Sequence, residues 1–215
     1  MSWIVPRLRR LHTLHRYSSD DDRVRPVELA VVHWTATPHT GGPSGADEPR
    51  MRRWLHGQSE RQTSTHLVAL RDGGLLQGAT LDERCWHAGG SKWQGEGHVN
   101  HRSIGFDLEN VGYLSEGSGR FVDAYGGKYK GPTPIQHQAV WHEPYTVAQL
   151  VAFLWAAGEV VALLPILEDP ERWVGHRQIR ATKRDPGPFP WGALREVLGG
   201  ESPGLIDWDK YEVAP

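Results

Sequence analysis

The order of elements readable in this chain predicts a mixed α/β fold: one domain with a central mixed β-sheet flanked by helices. Three observations predict it. Val27–Trp34 (V-E-L-A-V-V-H-W) is a nearly continuous apolar run, as in a buried strand. Ser103–Asn110 (S-I-G-F-D-L-E-N) alternates, with Ile104, Phe106 and Leu108 on one face and Ser103, Gly105, Asp107 and Glu109 on the other. A long apolar helix runs to Leu164, with Thr146 as its N-cap and Pro165 as its stop. Strands and helices that interleave in this way pack as helices on the faces of one sheet.

The remaining elements follow in order. Residues 1–25 read as an irregular arm, basic at Arg7, Arg9, Arg10 and Arg16, then acidic at Asp20, Asp21 and Asp22. After the first strand, 37–49 reads as a loop rich in Gly, Pro and Ser. Asp47 N-caps a helix that carries Pro49 in its first turn and Met51, Trp54 and Leu55 on one face. Thr65–Leu70 and Leu75–Gly78 read as a hairpin turning at Arg71-Asp72-Gly73-Gly74. Residues 89–100 are a loop. Residues 112–145 form an insert whose Gly- and Tyr-rich part is a long surface loop or a small hairpin. Val174 lies in a short strand, and Pro190–Leu198 is a closing helix ended by Gly199-Gly200. The folded domain spans 26–200, and the tail 201–215 docks through Trp208 and Tyr211.

Bulk composition narrows the function. With 215 residues, 38% hydrophobic content and 23% charge, the chain is globular and large enough for its own core. A formal charge of −2 gives no field that draws nucleic acid. No run reaches membrane-spanning length, and no apolar segment follows the N-terminal arginines as a signal peptide requires. Synthesis in the cytoplasm as a monomer is the expectation. The single cysteine, Cys85, rules out an internal disulfide and reads as a structural thiol. Ten Trp suit both a core and a flat-sided cleft that grips sugar or peptide.

The stretch from Trp173 to Trp191 carries the strongest chemical signal. His176 follows an apolar start and a Gly, and Asp185 sits nine residues on in a D-P-G-P turn, with Lys183 just before it. Imidazole and carboxylate are ordinary zinc ligands, and a lysine beside them steadies developing negative charge. His33 ends the first strand as His176 ends a later one, the usual place for a site in an α/β sheet. No H-E-x-x-H and no C-x-x-C occurs.

Seven segments, in order, resemble the zinc-dependent N-acetylmuramoyl-L-alanine amidases of the amidase-2 type, relatives of peptidoglycan recognition proteins and phage lysozyme-amidases. They are V-V-H-W-T-A at 31–36, S-T-H-L-V at 64–68, W-H-A-G-G at 86–90, S-I-G-F-D-L-E-N at 103–110, Y-T-x-x-Q-L at 145–150, G-H at 175–176 and K-x-D-P-G-P at 183–188. The resemblance implies one zinc ion held by His33, His176 and Asp185, with a fourth position left for water. It implies hydrolysis of the amide between N-acetylmuramic acid and L-alanine in peptidoglycan, with Lys183 stabilising the oxyanion. The family's general base is often a glutamate; here Asp107 stands in its place, one methylene shorter. Asp107 is the expected base. Glu109 is either the alternative base or a group that supports the site.

Trp34, Trp86, His87 and His66 are the candidate substrate contacts. Trp34 either walls the site or packs in the core. Trp86 and His87 lie in a loop, where function concentrates. His66, among apolar strand neighbours, is either a satisfied structural histidine or a substrate contact. The phage-type lysin acting on intact wall is the leading role, drawn from the insert and the W-H-E-P-Y run at 141–145. Its alternatives are a cytoplasmic recycling amidase acting on anhydro-muropeptides and a non-catalytic peptidoglycan-binding module.

Overall fold

The computed structural model describes residues 8–10, 25–38, 47–55 and 63–214. Its strands are β1 (Leu8–Arg10), β2 (Leu29–Trp34), β3 (Leu67–Ala69), β4 (Leu75–Gln77), β5 (Ser103–Leu108), β6 (Tyr113–Gly117), β7 (Arg120–Val122), β8 (Ile135–His137), β9 (Val140–His142) and β10 (Trp173–Gly175). Its α-helices are α1 (Glu48–Leu55), α2 (Val147–Leu163), α3 (His176–Ile179) and α4 (Trp191–Leu198). Among the described residues, the central sheet has the order β1-β4-β3-β5-β2-β10. All its pairs are parallel except the β3–β4 hairpin, so the sheet is mixed, as the sequence predicts.

The strand at 8–10 corrects the reading of 1–25 as irregular throughout. Leu8–Arg10 pairs in parallel with Leu75–Gln77 and forms one edge of the sheet. The rest of that arm, and most of the loop at 37–49, lie outside the described residues.

Burial on both faces explains the apolar run of β2. Ala30 and Val32 pack with Ile104, Phe106 and Leu108 of β5 and with Leu150, Phe153, Leu154 and Ala157 of α2. Leu29 and Val31 turn the other way, against Ala88, Val99, Val174 and Ile179. α2 starts where Thr146 stops the extended chain: its Oγ1 accepts from the Gln149 amide at 3.1 Å, as an N-cap should. The buried Gln149 side chain then donates to Ala69 O at 2.8 Å and to Glu109 O at 2.9 Å, which satisfies the ends of β3 and β5. Asp47 caps α1 as expected, accepting from the Arg50 amide at 3.0 Å. α1 lays Met51 and Leu55 on Val68, Leu70 and Leu76 of the hairpin.

The insert is more ordered than a loop or a single hairpin. It folds as a second, antiparallel sheet in the order β7-β6-β9-β8. Its strands are short, three to five residues each, so no strand shows a long alternating pattern. Glu143 and Arg71 tie this sheet to the hairpin at 3.5 Å, and Glu143 also accepts from the Val111 amide at 2.8 Å. Trp208 and Tyr211 pack onto the main core. Cys85 is buried.

Candidate metal centre and active site

His33, His176 and Asp185, separated by up to 152 residues of chain, converge at the C-terminal ends of β2 and β10. Asp185 Oδ2 lies 2.9 Å from His33 Nδ1 and 3.0 Å from His176 Nδ1, and the two imidazole nitrogens are 3.1 Å apart. All three residues are buried. The local sequence explains the closeness. A Cβ at Gly175 would sit 2.5 Å from Pro186 Cδ, so only glycine lets the D-P-G-P turn press against the strand that delivers His176. The Arg177 amide donates to Asp185 O at 3.0 Å, and Tyr145 Oη donates to Pro186 O at 2.6 Å, which fixes the turn on both sides.

The donor set fits a zinc ion. Two neutral imidazoles and a carboxylate are a catalytic zinc triad. Zinc–ligand bonds of 2.0–2.2 Å in a tetrahedron place ligand atoms about 3.3 Å apart, close to the spacing seen. Burial alone would raise the Asp185 carboxyl; the two histidines outweigh it and hold the group well below the usual carboxylate range. Burial pushes His176 down, towards the neutral form that a metal needs. His176 Nε2 donates to Ala88 O at 3.3 Å, which leaves Nδ1 bare toward the centre.

Asp107 is the register partner of His33 across the parallel β2–β5 pair, so both side chains project from the same face. Its carboxyl is buried, and burial raises it above the ordinary range against the lowering charge of His33. Lys183 and Asp185 are also near enough to act on it. Glu109 is different. Strand β5 ends at Leu108, and the Glu109 oxygens accept from the Asp47 amide at 2.6 Å and the Arg71 amide at 3.1 Å. Burial raises its carboxyl to about 7. Alternation predicts one face for Asp107 and Glu109; the structure instead spends Glu109 on fastening the start of α1 to the hairpin turn, which removes it as an alternative base.

A cleft of about 950 Å³ opens beside the triad. Asp185, Lys183, Arg177, Arg184, His137 and His142 are among its lining residues. Asp185 is the one carboxylate in that lining, so the cleft is cationic. None of Trp34, His66, Trp86 and His87 is in the lining. Trp34 is half-buried, its ring 5.6 Å from that of His142 and against Gly112 and Gly187, so it forms the wall behind the cleft. His66 is fully buried; Nδ1 accepts from the Gly105 amide at 2.9 Å and Nε2 donates to Glu83 O at 3.1 Å. It is a structural histidine and not a substrate contact. Trp86 is 40% exposed with the Arg84 guanidinium 4.7 Å from its ring. His87 faces His33 and not the cleft. His137 and His142, which carry no ligand or catalytic signal in the sequence, enter from the insert. The Nδ1 of buried His142 has no hydrogen-bond partner, and burial lowers its imidazole to about 4, so the ring is neutral. Their place on paired three-residue strands left no periodic signal to find them by.

Among the described residues no helix is long and apolar enough to cross a membrane. A family model described as N-acetylmuramoyl-L-alanine amidase matches residues 23–188. The 1,6-anhydro-N-acetylmuramyl-L-alanine amidase AmpD of Salmonella typhimurium is 28% identical over 206 residues, covering 91% of this chain and 92% of its own. The N-acetylmuramoyl-L-alanine amidase AmiD of Escherichia coli is 34% identical over 179 residues, covering 79% of this chain and 52% of its own. A crystal structure of a selenomethionine AmpD derivative superposes with a TM-score of 0.58 at 26% identity, covering 91% of this chain and 96% of that one. An endolysin from Bacillus subtilis superposes at 0.52 with 19% identity, covering 91% of this chain and 100% of that one, a likeness of fold.

Proposed function

The chain belongs to the N-acetylmuramoyl-L-alanine amidase family and is an enzyme that hydrolyses the amide between N-acetylmuramic acid and L-alanine; on that premise we propose that it is a zinc-dependent amidase of soluble anhydro-muropeptides. The observation that carries the substrate reading is the near end-to-end match to AmpD, over 91% of this chain and 92% of the relative. The solved AmiD complex that this chain resembles at 26% identity holds anhydro-N-acetylmuramic acid-L-Ala-D-gamma-Glu-L-Lys. A lysin acting on intact wall, the role first expected from the insert, has less support: the endolysin shares the fold at 19% identity.

His33, His176 and Asp185 would hold the zinc, whose chemistry is to polarise the scissile carbonyl and make water acidic enough to attack near neutral pH. Asp107 takes the proton of the attacking water and returns it to the departing alanine nitrogen. Its place one strand from His33, in register, supports that role. Lys183 balances the negative charge that grows on the carbonyl oxygen. Arg177 and Arg184 receive the acidic stem peptide along the cleft. The folded domain at 26–200 supplies the whole of this machinery, with the tail 201–215 as packing.

Two substrates separate the roles. Purified enzyme should release the peptide from soluble anhydro-muropeptide much faster, per bond, than it clears intact sacculi. Faster turnover on sacculi would overturn the soluble-substrate reading and restore the lysin. Elemental analysis should find one zinc per chain in the active preparation, and full activity in a metal-free one would refute the zinc role.

A further inference from the structure

A histidine can present Nδ1 to a metal only if its proton sits on Nε2, and something must hold it there. For His176 the acceptor is Ala88 O. For His33 the outer nitrogen meets another histidine: Nε2 lies 3.0 Å from His87 Nδ1. Either ring can donate in such a pair, so the pair alone settles nothing. The next link settles it. Ser103 Oγ is 2.6 Å from Val99 O and 3.1 Å from His87 Nε2. A carbonyl only accepts, so the single hydroxyl proton of Ser103 points to Val99, and towards His87 the hydroxyl is an acceptor. A neutral His87 then donates from Nε2, its Nδ1 accepts, and His33 donates to it from Nε2. The chain of donors runs His33 to His87 to Ser103 to Val99, and it leaves the His33 Nδ1 lone pair facing His176 and Asp185.

The surroundings are built for this ring. A Cβ at Gly105 would lie 2.7 Å from His87 Cγ, so the glycine of S-I-G-F-D makes the space that His87 fills. Asn100 Oδ1 accepts from the backbone amides of His87 and Ala88, at 3.2 and 2.8 Å, and fastens the segment that carries both acceptors.

We propose that His87 is a positioning residue that locks His33 in its metal-ligating tautomer, and that the two-residue segment His87–Ala88, pinned by Asn100, orients both ligand histidines together. This rests on the zinc reading above and adds to it a group that touches neither metal nor substrate.

The first test needs no variant. Two-bond nitrogen–proton correlation spectra of the protein with ¹⁵N-labelled histidine should show His87 protonated on Nε2 alone, with or without zinc; a proton on Nδ1 would overturn the proposal. The second compares His87→Phe with His87→Asn by chelator competition for zinc. Phe keeps a ring and has no acceptor, and it should weaken zinc binding about 10- to 100-fold. Asn places a carbonyl oxygen where Nδ1 was and should regain most of that loss. Equal affinities for Phe and Asn, with both metal-free forms melting cooperatively, would refute the tautomer role. A wild-type protein that binds no zinc would sink the metal reading instead, and the His87 spectrum would still report on the relay.

Discussion

The two faces of strand β5 divide the work of the molecule. On one face Ile104, Phe106 and Leu108 pack against α2, where Phe106 and Phe153 meet edge to face at 5.3 Å. On the other, Ser103, Gly105 and Asp107 face His87 and His33, and every side chain there is small or polar. One face is a core in which shape decides. The other is a polar network in which the direction of each hydrogen bond decides. The period-two geometry of a strand keeps the two apart within six residues, so a substitution should disturb one kind of property with little effect on the other.

That division can be broken by experiment, with the sharpest effect on the polar face. His176→Ala removes one of three ligands and should abolish stoichiometric zinc, read by elemental analysis, with activity down roughly 10⁴-fold or more. Its melting temperature in the metal-free state should stay close to that of the parent; a collapse of the fold would show that the two faces are not separable. Asp107→Asn should keep zinc and lose about 10²- to 10⁴-fold in turnover. Retained turnover would take the proton-transfer role away from Asp107. On the opposite face, Phe153→Ala should cost about 3–5 kcal/mol in urea unfolding by opening a cavity between Phe106, Trp173 and Phe189, with zinc stoichiometry unchanged below the transition. The smallest effect belongs to Thr146→Ala, which removes the α2 cap and should cost about 1 kcal/mol with no change in metal affinity.

How far the chain could be read in advance follows the same line. The apolar run of β2, the alternation of β5 and the Thr146 cap each announce themselves locally, because burial and capping act over a few neighbouring residues. The candidate metal triad was legible as a resemblance, since Gly175-His176 and the D-P-G-P turn are short motifs with tight steric demands. Asp107 and Glu109 could not be separated, because alternation does not say where a strand ends, and β5 ends between them. The second sheet escaped because three-residue strands are specified by their partners rather than by a period of their own. Leu8–Arg10 as an edge strand depends on pairing with residues almost seventy positions away. His87 was placed on a substrate-lining loop; its true neighbour, His33, is 54 residues off and is met only when that loop crosses the sheet.

The parallel pairing of β10 with β2 has one more consequence. His33 and His176 lie 143 residues apart, and closing a loop of that length costs a flexible chain about 4 kcal/mol or more. Here the backbone ladder from Trp173↔Ala30 to Gly175↔Val32 has already closed it before any ion arrives. Unlike small zinc modules, whose folding waits on the metal, this chain brings His33, His176 and Asp185 together through its own strand pairing. Zinc should therefore come and go without unfolding the protein, and chelation should act as an off-switch that is reversed by adding the ion back.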